Sequence, residues 1–183
     1  MAKLKRKLFT SQHDYDVALI TLAIVYTFIM SFWFDPKWAD SPEAIELVKT
    51  IGTFVPFINN LQIMPNYSSY IGFFYAIIWL LAPVMFVFGW MSIVFAGTQF
   101  IADRNNMPRL KFWGSTFIGL FILCFMFDMK VYPDYSDWRQ NQLTGGFWSK
   151  AISSFIFFGI PYGFGMLFRL VFNRITFYKN IGA

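Results

Sequence analysis

Residues 70–97 read YIGFFYAIIWLLAPVMFVFGWMSIVFAG, a run without a single charged side chain. Hydrocarbon offers no partner to a bare amide or carbonyl, so such a run is stable there only as a helix that closes its own hydrogen bonds. About 20 apolar residues are enough to cross a core of about 30 Å. This run is longer than one straight crossing and contains Pro83, which predicts a tilted or kinked helix. Working outward, the charge-free block extends from Thr50 to Ala102. Three further apolar stretches flank it, Val17–Phe34, Phe112–Phe127 and Ala151–Phe168. The third of the four runs is short for a crossing, which places Lys111 and Trp113 at one interface and Asp128 and Lys130 at the other.

The expected fold is therefore an all-α integral membrane protein, one polytopic domain over residues 1–183. Four transmembrane helices, at about 17–34, 70–98, 112–128 and 151–170, form an antiparallel bundle. With 57% hydrophobic and 14% charged residues, the chain lies far from the roughly quarter-charged composition of soluble domains. Its 183 residues leave no room for a separate soluble catalytic domain once four spans are counted.

Orientation follows from the positive-inside rule. Lys3, Lys5, Arg6, Lys7, Arg104, Arg109, Lys111, Arg169, Arg174 and Lys179 fall on one side, with Asp14, Asp16 and Asp103. Lys37, Lys49, Lys130, Arg139 and Lys150 fall on the other, with Asp35, Asp40, Glu43, Glu46, Asp128, Asp134 and Asp137. The net charges are +7 and −2, so both termini are expected in the cytoplasm. A bacterial inner membrane is the default compartment, with an organellar inner membrane as the alternative. The first run reads as a retained anchor, because it ends in Phe32-Trp33-Phe34-Asp35-Pro36 and not in the small residues of a cleavage site.

Between the first two spans, Ser41-Pro42-Glu43 has the composition of a helix start. Ile45, Val48 and Ile51 follow at three-residue spacing, so a short interfacial amphipathic helix is expected in this outer loop. Residues 53–66 are apolar but interrupted by Pro56, Asn59, Asn60 and Pro65, and read as a re-entrant or interfacial segment packed on the bundle.

One cysteine excludes an intramolecular disulfide, a Cys-based zinc site and an iron–sulfur cluster, and one histidine excludes a bis-histidine haem. No serine–base pair, HExxH, P-loop or dinucleotide fingerprint occurs. No ionisable residue lies deep in a span, which argues against a proton or ion pathway through a single copy. Cys124, centred among Phe121, Phe125 and Phe127, reads as a buried packing residue. A non-enzymatic protein with no metal and no cofactor is the expectation.

Helix-packing chemistry is plentiful. Ala23, Thr27 and Ser31, Gly72 and Ala76, Ser92 and Ala96, Ser115 and Gly119, and Gly159 and Gly163 all recur at four-residue spacing. Small residues so spaced let helix backbones approach. The outer loop gathers Asp128, Tyr132, Asp134, Tyr135, Asp137 and Trp138, a composition found at binding surfaces. These six residues, with Gly159 and Gly163, are the candidate partner-binding set. Lys3, Lys5, Arg6 and Lys7 are expected to touch anionic lipid; no nucleic-acid partner is expected.

The reading that follows is an accessory or structural subunit that packs against another integral membrane protein in a larger complex. Length, four spans, cytoplasmic termini and a longer first outer loop make the whole chain similar to the immunity proteins against A-type pore-forming colicins. This resemblance of topology implies binding of a pore-forming toxin in the inner membrane as the alternative function; Asp103-Arg104-Asn105 carries no residue role across. An oligomeric channel or transporter component is the second alternative.

Overall fold

The computed structural model describes residues 11–63, 67–96, 98–127, 143 and 145–181, and among these the protein is entirely helical. The helices are α1 (Gln12–Phe32), α2 (Pro42–Phe54), α3 (Pro56–Leu61), α4 (Ser69–Leu80), α5 (Ala82–Val94), α6 (Thr98–Asn106), α7 (Arg109–Phe127) and α8 (Phe147–Ile181), with a 3-10 turn at Pro36–Asp40. Local sequence sets most of their starts. The Ser11 hydroxyl accepts from the Asp14 amide at 3.3 Å while the Asp14 carboxylate accepts from the Ser11 amide at 2.9 Å, a closed capping box. Ser41 caps α2 by accepting from the Ala44 amide at 3.2 Å, and Ser68 caps α4 through Ile71 at 3.4 Å. The extended Val55 before Pro56 ends α2 and begins α3.

Two helices are long and apolar enough to cross a membrane, α1 and the Phe147–Phe177 part of α8, and α4 with α5 makes a third if that pair is one span. The expected kink is real: α4 and α5 meet at Leu81 with a bend of 42°, and Pro83 sits in the first turn of α5, where its missing amide leaves no bond unmade.

α8 is the axis on which the other helices are hung. Its 35 residues extend about 52 Å at 1.5 Å per residue, well beyond one hydrocarbon thickness. α1 runs antiparallel to it: Phe32 lies 5.8 Å from Phe147, Thr27 bonds Ser154 and Asp16 reaches Tyr162. α5 and α7 pack along its later turns, and α6 joins them at the far end. The contacts among described residues group α1, α4, α5 and α8, whereas α7 rests mainly on α8.

The core lies around the first half of α8. Phe57, Ile58 and Leu61 of α3 are fully enclosed, with Phe57 4.4 Å from Phe157 and edge-on to Tyr75 at 5.6 Å. The interrupted segment thus contributes a one-and-a-half-turn plug. Tyr26 packs between Phe74 (5.0 Å) and Phe158 (5.5 Å), and its hydroxyl donates to the Phe74 carbonyl. Tyr70 donates to the Met30 carbonyl at 2.7 Å and Tyr75 to the Leu143 carbonyl at 3.0 Å. α2 is present as expected, with Ile45 turned outward. It buries Ala44, Val48 and Gly52 and leaves Ile45 exposed, because the small residues allow close approach where the isoleucine would not.

Two cations mark the length of α8. The Lys150 ammonium stands 4.9 Å over the Tyr70 ring, and the Arg169 guanidinium stands 5.1 Å over Trp90 and 5.4 Å over Phe172. The helix between them carries no charge. They are separated by about 29 Å of helix, close to a bilayer core of about 30 Å.

Candidate functional site

The α1–α8 seam holds the polar side chains that lie deepest. Thr27 donates to the Ala23 carbonyl at 2.8 Å and lies 3.0 Å from the Ser154 hydroxyl, so the Ala23-Thr27 stripe is used for internal packing. Further along, the buried Tyr162 donates to Asp16 Oδ1 at 2.5 Å. This corrects the sequence reading in one respect, since Asp16 is grouped there with the loop charges although its carboxylate faces into the bundle. It lies about 24 Å along α1 from Phe32, near the border of the spanning segment. Beside it Tyr15 stacks on Phe95 at 5.8 Å and meets Phe88 edge-on at 6.0 Å. A lone carboxylate bonded to a phenol joins two helices; among the described residues no three His, Cys, Asp or Glu side chains assemble as metal ligands.

The α5–α8 contact is closer than any small-residue pair in the sequence indicated. A Cβ on Gly89 would sit 1.9 Å from the Tyr162 carbonyl oxygen, and one on Gly165 would sit 2.0 Å from that of Phe86 and 2.8 Å from the Trp90 nitrogen. Both neighbours are backbone, so neither can swing away. Four-residue spacing does not mark this pair, because Gly89 and Gly165 come from different helices. In the connection before α4, Tyr67 packs its phenol against Gly72, and burial pushes that phenol up from its ordinary range.

At the basic end, Arg174 is 2% exposed. Its guanidinium donates to the Arg104 carbonyl at 3.0 Å and to the Met107 carbonyl, and stands 5.0 Å over the Phe112 ring. One side chain of α8 thereby fastens the α6–α7 turn. The charge distribution places this arginine only on the basic side of the molecule; its burial follows from where the turn docks. A cavity of about 270 Å³ nearby is lined by Ile101, Ala102, Asn105, Asn106 and Phe177, and falls below the roughly 300–1,000 Å³ of small-molecule sites.

Of the candidate partner-binding residues, Gly163 faces Leu123 of α7, where a Cβ would lie 3.1 Å from a methyl carbon. It therefore serves the α7–α8 contact. No described atom comes within 4 Å of a Cβ on Gly159. Asp128, Tyr132, Asp134, Tyr135, Asp137 and Trp138 lie outside the described residues, as do Lys3, Lys5, Arg6 and Lys7. The surface that the sequence reading did not single out is α7 itself. Leu110, Trp113, Phe117, Ile118, Phe121 and Ile122 are all exposed, and Gly114 among them has open space at its Cβ position. Cys124 is exposed as well, contrary to expectation, because among the described residues α7 packs mainly on α8 and leaves much of its circumference uncovered. No protein-family model, curated protein or solved structure matches this chain.

Proposed function

We propose that this chain is a four-crossing integral membrane protein that works by contact, as an accessory or structural subunit packed against another integral membrane protein. In this reading α7 is the fourth crossing, both termini are cytoplasmic, and the compartment is a bacterial inner membrane. The observation that carries it is the one-sidedness of α7: a 19-residue apolar helix held, among the described residues, mainly by α8, with exposed bulky side chains around an open Gly114. In lipid, helices associate through packing and small-residue gaps and not through release of water, so such a gap-and-ridge surface suits a neighbouring helix. The polar groups of the seam, by contrast, are engaged within the chain.

A photo-reactive residue placed at Phe117, with a second variant at Ile24 on the exposed face of α1, tests the reading in cells of the source organism. Position 117 is expected to capture one integral membrane protein and position 24 to capture lipid. Capture of lipid alone from both would overturn the subunit reading, and capture of a toxin alone would move the function to the immunity class. Orientation is read in a Cys124→Ser background with cysteines at Asp40 and Asn105. External reagent is expected to label the first and spare the second; the reverse pattern inverts the protein.

A further inference from the structure

Arg169 differs from the other cations described at its end of the molecule. Arg174 is bonded to carbonyls, and Arg104 stands over Phe100 in a short helix outside the candidate spans. Arg169 lies within the Phe147–Phe177 span and is seated on two rings, those of Trp90 and Phe172. Its Nε, like that of Arg174, is buried without a hydrogen-bond partner among the described residues, which leaves the two terminal nitrogens as the donors that can face outward. A cation–π contact uses the face of the guanidinium and leaves the in-plane N–H donors free. Those donors form a rigid fork that matches two phosphate oxygens. Phe168 and Phe172 beside it are 56% and 50% exposed, so the site opens sideways to whatever surrounds the helix.

We propose that Arg169, held by Trp90 and Phe172, binds the phosphate of an anionic phospholipid in the leaflet at the basic end of the protein. The inference rests on the reading that α8 crosses a bilayer. It is supported by the roughly one-bilayer distance to Lys150, which puts the guanidinium at headgroup depth when Lys150 is at the opposite interface. Arg104, Arg109 and Lys111 near the same end add the field that draws an anionic headgroup over a zwitterionic one. Exposed rings at the site give the acyl chains an apolar surface.

The test uses the full chain in mild detergent, offered phosphatidylglycerol, phosphatidylcholine or inorganic phosphate, with retained ligand counted by native mass spectrometry. Wild type is expected to hold one phosphatidylglycerol in preference to phosphatidylcholine. Arg169→Gln is expected to weaken retention roughly tenfold, Arg169→Lys to fall between, and Lys49→Gln, which removes one exposed positive charge on α2 and none of the cations near the site, to match wild type. Trp90→Leu keeps the charge and loses the seat, so it reports on the site if Arg169→Gln fails to fold; reduced retention is expected. Undiminished retention in both Arg169→Gln and Trp90→Leu, or equal retention of phosphatidylcholine by wild type, would overturn the proposal. Displacement of the lipid by inorganic phosphate would assign the site to a free anion instead. The cysteine-labelling pattern reports on the crossing independently, so failure of one reading is distinguishable from failure of the other.

Discussion

The two halves of α8 are built from similar residues and are held in different ways. From Ala151 to Tyr162 the helix buries Ser153, Ser154, Phe157, Phe158 and Ile160 against α1, α3 and α4, with interlocked rings and a hydroxyl-to-hydroxyl bond between Thr27 and Ser154. From Gly163 to Phe177 only Gly165 and Arg174 are buried, and that half is fastened by backbone approach at Gly165, by the Arg174 guanidinium and by the half-exposed rings of Phe168 and Phe172 against Phe86 and Trp90. Phenylalanine is abundant in both. The difference comes from the helices alongside: several elements surround the first half, and α5 and α7 flank the second. In a chain this apolar, hydrophobicity does not separate core from exterior, so steric fit and polar ties decide.

The contrast can be broken most directly at Gly89. Gly89→Ala places a methyl against the Tyr162 carbonyl and is expected to destabilise by about 3 kcal/mol, the upper part of the overpacking range. The readout is the unfolding midpoint in detergent, and a midpoint equal to wild type would show that backbone approach does not hold α5 to α8. Phe157→Ala probes the first half. Its loss is expected at roughly 2 kcal/mol, less than the roughly 3–5 kcal/mol of soluble cores, because the ring's alternative surroundings are lipid and not water. Arg174→Met is expected to lower stability by about 1.5 kcal/mol through two lost charge-assisted bonds. It should also speed amide exchange over residues 104–112 while leaving α1 and α4 unchanged, and uniform acceleration would mean that the clamp is not local. Gly159→Ala, with open space before it, should stay within about 0.5 kcal/mol of wild type. A larger loss there would reveal a neighbour of the first half that the described residues do not supply.

Much of the first half was legible. Ser41-Pro42-Glu43 announced α2, the Ala23-Thr27 spacing announced a packed face, and Pro83 with an overlong run announced the bend. These signals are local, each carried by neighbours within a turn or two. The second half depends on which residues of distant segments meet. Gly89 and Gly165 gain their meaning only from each other's helix, and Arg174 only from the carbonyls of a turn nearly seventy positions earlier. Asp16 escaped for a related reason: a carboxylate at a span border can face either way, and the position of Tyr162 decided. On α2, Val48 is buried and Ile51 packs against the core as their spacing suggests, and only Ile45 turns outward, with Ala44 taking the inner place.

The contact at Gly89 and Gly165 also constrains descent. A lineage can exchange the exposed rings of α7 for other apolar groups and keep the same architecture. At those two positions there is no volume for even one added carbon, so they would be among the last to drift as relatives diverged.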